Sequence, residues 1–371
     1  MFTTTDSPRA RQRPADLVDR QKLSVEQQQR LEQFAFEHAS VPESYDIAIS
    51  DGQLLQTSCG QGMASVLEDG KFWHIAGGLL SSKAYKPQMI EWLAELSQCT
   101  KKTLAVYNVC HSDAVLLGDA GFVVNKFGEE PILDLADLTW TGKPYEWVRR
   151  QSNFCNRADI DISEITSVQQ QQDLAEVLLE IMNDDLAGRT FDQPLRLLEG
   201  QFDAKLLKRR RLFVARRSDS TVEGFLACSP LEGGRGWAFE TYRKRSDATR
   251  GVTAHLFKTV TDLLRAEGVA YVSLCLVPGR NVADSSIPNG DWRLNKSLSF
   301  LYSHMGSVFN AQGQDHFKSR FRPRYEERYL CVNPGSSVRS LWSFLRTTGA
   351  LKANLGNLTR QTLGLRKRKP K

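Results

Sequence analysis

Apolar positions along this chain switch repeatedly between helical and strand-like spacing. Ser24 stands before VEQQQRLEQFAFEHA with Gln27 third after it, the form of a capping box that opens a helix. Three β-like pieces follow, QLLQTSC, GMASVLED and KFWHIAGG, parted by turns that contain glycine. PQMIEWLAELSQ (87–98) begins on a proline tolerated in a first turn and repeats apolar residues at Met89, Trp92, Leu93 and Leu96, which predicts a helix. LAVYNV (104–109) and GFVVNKFG (121–128) predict strands.

The same order returns later. A helical region at 167–183 and a second candidate at 194–208 precede strands at 211–217, 222–230 and 236–242. A helix from Val252 to Ala266, a strand at 269–277, a helix near 292–303 and a last strand near 327–332 complete the run. Between the two halves, YEWVRRQSNFCNRA (145–158) fits a basic connecting helix. The recurrence of meander, helix, strand, helix and strand suggests a duplicated α+β architecture without a residue-level repeat. The division expected is a flexible start (1–22), a first lobe (23–144), a connector (145–165), a second lobe (166–333) and a tail (334–371).

Length and charge sharpen that division. With 371 residues and 41% apolar content, two cores are the first expectation. The net charge of +6 is uneven: from Cys331 onward there are nine Lys or Arg and no acid, so the preceding residues sum to −3. Val338, Leu341, Trp342 and Leu345 fall on one helical stripe, and a second leucine-spaced piece at 351–363 leads to RKRKPK. Three roles stay open for this tail: a docked terminal helix, a seat on an anionic membrane surface, or a contact with RNA phosphates. The start has no apolar stretch of signal-peptide length and no run approaches the roughly 18 residues of a membrane span, so a cytoplasmic location, peripheral at the inner membrane face, is expected. Seven cysteines without CxxC spacing point to reduced core residues rather than disulfides or zinc.

Candidate chemistry concentrates in FETYRKRSDATRGVTAHLF. No GxxxxGK[ST] or HExxH is present, and the glycines of GGRG (233–236) suit a tight turn. Glu240 and Tyr242 alternate to one sheet face if the strand persists that far, and Glu240 and Arg243 converge if it bends. Such a pair could hold the ammonium and ester carbonyl of an aminoacyl group; the plain alternative is a surface ion pair.

Residues 120–332 resemble the catalytic part of the phosphatidylglycerol lysyltransferases. The matching pieces are GFVVNKFGEEPILDLADLTWTGKPYEWVRRQSNF (121–154), VEGFLACSP (222–230), AFETYRKRSDATRGVTAHLF (238–257) and the stretch 300–332. That last stretch carries the family's order of Tyr302, Gly306, Phe317 with Lys318, Phe321 with Pro323, and Tyr325, Glu326, Arg328 and Tyr329. The resemblance implies two tandem GNAT-like lobes and transfer of an amino acid from aminoacyl-tRNA, as co-substrate without a further cofactor, to a hydroxyl of a lipid such as phosphatidylglycerol. Because the membrane part of full-length lysyltransferases is not in this sequence, it also implies a soluble stand-alone relative.

The resemblance assigns Glu240, Arg243, Glu326 and Arg328 to catalysis, with Glu327 as the uncertain neighbour of Glu326. It assigns Tyr242, Tyr302, Lys318, Tyr329, Arg149 and Arg150 to substrate binding, the arginines standing with Lys143 and Arg157 on the basic connector. Glu240 replaces the family's usual aspartate, which moves the charge by about one methylene and bears on substrate size. Two other classes remain open. A CoA-dependent N-acyltransferase would need a pyrophosphate loop, but RSDATRGVTAHL spaces its small residues poorly for one. A non-enzymatic adaptor would bind RNA or anionic membranes through the tail.

Overall fold

The computed structural model describes residues 17–49, 52–187, 189, 195–196, 202–203, 208–304, 311–335 and 338–351. The first half runs β1 (Leu17–Val18), α1 (Val25–His38), a 3-10 turn at Pro42–Ala48, β2 (Gln53–Gln56), β3 (Gly62–Asp69), β4 (Phe72–Ser81), α2 (Lys86–Thr100), β5 (Thr103–Val109), α3 (His111–Asp119) and β6 (Val123–Asp134). After α4 (Glu146–Arg157) come β7 (Asp161–Ile165), α5 (Val168–Ala187), β8 (Arg211–Arg216), β9 (Val222–Leu231), β10 (Gly236–Lys244) and α6 (Val252–Ala266). The chain continues through β11 (Tyr271–Ser273), β12 (Val277–Pro278), α7 (Trp292–His304), α8 (Ala311–Ser319), β13 (Arg324–Asn333) and α9 (Val338–Thr347).

Local chemistry sets several of these boundaries as the sequence predicts. Ser24 Oγ accepts from the Gln27 amide at 3.2 Å while Gln27 Oε1 accepts from the Ser24 amide at 2.8 Å, a reciprocal cap for α1. Helix α6 spans the range its apolar spacing predicts, and α2, α4, α5 and α7 lie within a few residues of theirs. The continuous strand expected over 269–277 is broken. Only Tyr271–Ser273 and Val277–Pro278 pair, and between them Cys275 adopts φ +66°, a left-handed conformation that a regular strand excludes. The 42–48 turn, α3, β7 and α8 were not among the expected elements. The helix expected over 194–208 and the leucine-spaced piece at 351–363 fall largely outside the described residues, as do residues 1–16 of the flexible start expected over 1–22, whose remainder holds β1 and a 3-10 turn at Arg20–Lys22.

One mixed sheet runs through both halves, with helices on its faces. Its order is β1-β2-β3-β4-β5-β13-β6-β11-β10-β9-β8-β7, with β12 beside β6. Each half contains one parallel pair, β4 with β5 and β10 with β11; the neighbours between and outside them are antiparallel. The centre is built by exchange. Strand β6, closing the first half, pairs with β11 of the second, and β13, closing the second half, pairs with both β5 and β6. The sequence pattern locates β6 and β13 without revealing that they cross.

Five apolar clusters hold the layers. Phe239, Phe257, Phe321, Trp140 and Val148 join α4 and α6 to one face of the second half, and Leu174, Leu178, Ile181 and Phe225 seat α5 on the other. Leu31, Tyr45, Ile47, Leu231 and Ala238 seat α1 and the 42–48 turn over the middle strands. In the first half, Met89, Leu93, Leu104 and Tyr329 share a core beneath α2, while Tyr107, Leu294, Leu298, Leu341 and Phe344 pack α7 and α9 together. All seven cysteines are free; Cys155, Cys228 and Cys331 are buried as expected, whereas Cys59 and Cys99 are exposed, against the expectation of core positions.

Candidate active site

The sheet opens where β10 and β11 part. Their parallel pairing lasts three residues, Gly236–Ala238 against Tyr271–Ser273, after which β10 runs on to Lys244 while β11 ends. At the parting point β10 carries a bulge between Phe239 and Thr241, so Glu240 is the inserted residue. Across the gap Lys318 Nζ donates to the carbonyls of Cys275 at 3.0 Å and Leu276 at 3.3 Å, occupying acceptors that a continuous strand would have used. The bulge and the broken strand together leave a wedge between two central strands.

Glu240 forms one wall of this wedge. Arg210, the residue before β8, reaches over β9: its Nη2 lies 3.0 Å from Glu240 Oε2, its Nε donates to Ser229 Oγ at 2.9 Å, and it also pairs with Asp46 of the 42–48 turn. Ser229 donates to the same Oε2 of Glu240. Oε1 of Glu240 is buried with no hydrogen-bond partner among the described residues. Burial first, then the nearby Asp46 carboxylate, push Glu240 well above the usual carboxylate range, although Arg210 opposes them. Burial lowers Arg210, but Asp46 and Glu240 outweigh it and hold the guanidinium charged.

The opposite wall comes from the exchanged strands. Arg328 of β13 donates Nε to Glu130 of β6 at 2.6 Å and Nη2 to Glu326 at 2.8 Å, and Ser273 of β11 donates to Glu130. Glu43, on the turn above, links the two walls electrostatically: burial, then Glu130, raise it to about 7, and Asp46 adds to the effect. Glu43 also acts on Glu240. Gly77 of β4, at φ +77°, lets this turn approach, since a Cβ there would stand 2.5 Å from the Glu43 carbonyl oxygen. Five carboxylates, Glu43, Asp46, Glu130, Glu240 and Glu326, therefore stand around the parting strands, met by Arg210, Arg328 and Lys318.

The expected site residues divide into separate groups. Glu240 is held by Arg210 and Ser229 on β10, whereas Arg328 and Glu326 bond each other on β13, and the Glu43 charge links the two clusters. Burial would raise Glu326, but Arg324 and Arg328 hold it below the carboxylate range, which suits a fixed negative charge better than proton exchange. Lys318 lines the break in the strand, and burial lowers its pKa. Arg243 lies further along β10, 7% exposed, with Nε 3.6 Å from Asp185 of α5. Tyr242 does not share a face with Glu240: the bulge shifts the alternation, and the tyrosine packs edge-on against Phe257 and beside Phe317.

Tyr302, Glu327 and Tyr329 belong to a second polar network. Tyr302 donates to Asp315 at 3.0 Å, Arg280 bridges Asp315 and Glu129, and Lys126 bridges Glu129 and Glu327. The Tyr329 hydroxyl bonds Glu327, and burial followed by that bond raise it to about 12. Glu326 and Glu327 thus face different partners, as neighbouring strand residues must. Arg149 donates to the carbonyls of Trp140 at 2.6 Å and Gly142 at 2.8 Å, fixing the entry to α4, while Arg150 is exposed on that helix.

Sequence patterning missed Arg210, Asp46, Glu43 and Glu130. Arg210 stands within the basic run KRRR, where it looks like a solvated charge; Glu130 lies in β6 with Lys126 and Glu129, and charged residues set between the apolar ends of that strand were the available signal of a buried role. The loop before α6 is also occupied: the Thr249 amide donates to Glu223 at 2.9 Å and the Ser246 amide to Asp184 at 2.6 Å. Carboxylates on these amides compete with any phosphate brought there.

Phosphatidylglycerol lysyltransferase of Bacillus subtilis is 23% identical over 257 residues, 68% of this chain and 29% of the relative. The protein of that name from Staphylococcus haemolyticus is 22% identical over 213 residues, 57% of this chain and 24% of the relative. The chain thus matches less than a third of the length of either. The structure of L-PGS from Bacillus licheniformis superposes with a TM-score of 0.71 at 19% identity, covering 87% of this chain and 96% of that one, and so shares the fold. The family model for the C-terminal part of phosphatidylglycerol lysyltransferase matches residues 36–332, spanning both walls of the wedge, and the chain belongs to that family.

Proposed function

We propose that the protein transfers an amino acid from aminoacyl-tRNA to a hydroxyl of a membrane lipid such as phosphatidylglycerol, with the reaction centred on the wedge between β10 and β11. The observation that carries this reading is the buried Oε1 of Glu240, without a hydrogen-bond partner among the described residues while its sister oxygen is fixed by Arg210 and Ser229. An acceptor so placed suits a substrate ammonium or the hydrogen of an attacking hydroxyl.

The chemistry is ester exchange. The lipid hydroxyl oxygen attacks the aminoacyl carbonyl, its proton leaves, and the ribose oxygen of the tRNA terminus departs with a proton. Because the donor ester is already reactive, alignment and charge placement carry most of the catalytic task. Glu240 orients the ammonium or the acceptor, and Arg243 steadies the ester or terminal phosphate. Arg328, held by Glu130 and Glu326, supplies fixed positive charge for a phosphate, and Lys318 adds a second cation at the break in the strand. Arg149 and Arg150 put positive charge on α4 toward the RNA. We take the two halves to be the tandem lobes expected from the resemblance, joined by the exchange of β6 and β13. CoA chemistry is the weaker alternative because Glu223 and Asp184 occupy the loop amides.

Incubation with a pool of radiolabelled aminoacyl-tRNAs and total lipid extract tests the proposal. Label should enter the organic phase, disappear after nuclease treatment of the donor, and fall at least about a hundredfold in Glu240→Gln and Arg243→Ala. Full transfer by both folded variants would remove the site assignment, and label that never leaves the aqueous phase would remove the lipid acceptor.

A further inference from the structure

Outside the wedge, two adjacent helices carry large apolar side chains that stand exposed. Helices α7 and α9 pack their inner faces into one core through Leu294, Leu298, Leu341 and Phe344. Their outer faces keep large apolar side chains exposed. On α7, Trp292 is 66% and Phe300 56% exposed, with Lys296 between them at helical spacing and Arg293 over the Trp292 ring at 5.5 Å. On α9, Trp342 is 59% and Val338 49% exposed, flanked by exposed Arg339 and Arg346. Scattered exposed apolar residues need no explanation, but four large ones on neighbouring helices, set among cations, form a patterned surface.

We infer that the outer faces of α7 and α9 together seat the protein on an anionic lipid bilayer. Charge decides the occupant. Arg293, Lys296 and Arg339 ring the aromatic residues, and seven more Lys or Arg with no acid follow in 352–371, directly downstream of α9. A second copy of this chain related by a twofold axis would set these cations against themselves. Tryptophan placed beside Lys and Arg on an exposed helical surface is the arrangement that enters the headgroup boundary, with rings below and charges at the phosphates. Single-stranded RNA would instead favour aromatic rings along a basic groove.

The anchoring of α9 supports a preformed seat. Arg346 pairs with Asp69 at the β3–β4 turn, Ser343 donates to the same carboxylate, and His74 Nε2 lies 2.9 Å from Ser343 Oγ. The helix is thus tied to β3 and β4 from beneath while its outer face stays exposed. This inference takes its choice of occupant partly from the proposed lipid acceptor; the experiment contains no charged tRNA, so its failure and the failure of the transfer reaction are separate results.

Full-length protein is sedimented with vesicles of phosphatidylcholine alone and of an equimolar phosphatidylcholine–phosphatidylglycerol mixture, and tryptophan emission is recorded in parallel. Binding to the mixed vesicles with a blue shift is expected, and Trp292→Ser with Trp342→Ser should weaken it by at least about tenfold. Both positions are exposed, so the thermal unfolding of the double variant should match that of the parent. Separately, Arg293→Gln with Lys296→Gln should lower affinity for the mixed vesicles while retaining their preference over phosphatidylcholine. Undiminished vesicle binding by the tryptophan double variant, dimerisation abolished by it, or a loss confined to RNA binding would each overturn the inference.

Discussion

Arg210 and Glu240 meet over the intervening strand β9, Nη2 to Oε2 at 3.0 Å, with each side chain only 4% exposed. Neither belongs to a surface pair, and each would be costly to bury alone. Arg210→Met therefore leaves Asp46 and Glu240 facing one another without their shared cation. Loss of about 3–5 kcal/mol is expected by urea unfolding at pH 8, with much of it recovered in Arg210→Met/Glu240→Leu. Equal stability of the single variant and the parent would show that the pair does not bear on the fold.

Glu43 makes stability depend on pH in an unusual direction for a carboxylate. Its folded pKa of about 7 exceeds the ordinary 4.5, first through burial and then through Glu130, so the folded state binds the proton more tightly than the unfolded chain. Its unfavourable contribution is absent below about pH 4.5 and grows as pH rises through about 7. Glu43→Gln should flatten that part of the stability profile and gain up to about 3 kcal/mol at pH 8. Parallel profiles for variant and parent between these limits would contradict the assignment.

His74 acts in the opposite sense. Buried beneath α9 between Tyr107 and Ser343, it is lowered from 6.5 to about 4 by burial, which the Asp69 charge only partly offsets. A neutral folded imidazole gives no pH-dependent penalty above about pH 6.5; the penalty grows as pH falls toward 4. Amide exchange at Leu341 and Phe344, corrected for the intrinsic rate, should accelerate over that range before the β10–β11 region loosens. Uniform acceleration across the protein would place the sensitive group elsewhere.

Arg150 separates an RNA contact from a structural role because it is exposed, whereas Arg149 is engaged by two backbone carbonyls. Arg150→Ala should raise the KM for charged tRNA by a few fold and reduce the slope of log affinity against log salt by about one, with kcat unchanged. Arg149→Ala should instead cost about 1 kcal/mol of stability. An unchanged salt slope in Arg150→Ala would exclude a phosphate contact at that position.

Much of the element order was legible because its signals are local. Ser24 and Gln27 cap α1, Val252 to Ala266 repeat apolar residues at helical spacing, and Phe321, Glu326 and Arg328 stand in the family's order. The facing of Glu240 was not legible, since alternation along FETYR assumes a regular strand and one bulge reverses the relation to Tyr242. The role of Lys318 in holding the carbonyls of Cys275 and Leu276 was likewise hidden, because it depends on a strand that breaks at Cys275.

By itself the sequence determined the family, the α+β class, the positions of most strands and helices, and the cationic run after Cys331. Each is encoded by near neighbours or by residue order. Only the tertiary structure decided which charges meet: β13 enters between β5 and β6, carrying Arg328 to Glu130, and Arg210 crosses β9 to Glu240. Those partners are 198 and 30 residues apart in the chain. Helical or strand periodicity extends over a few residues, so only the packing of the whole sheet selects such pairs.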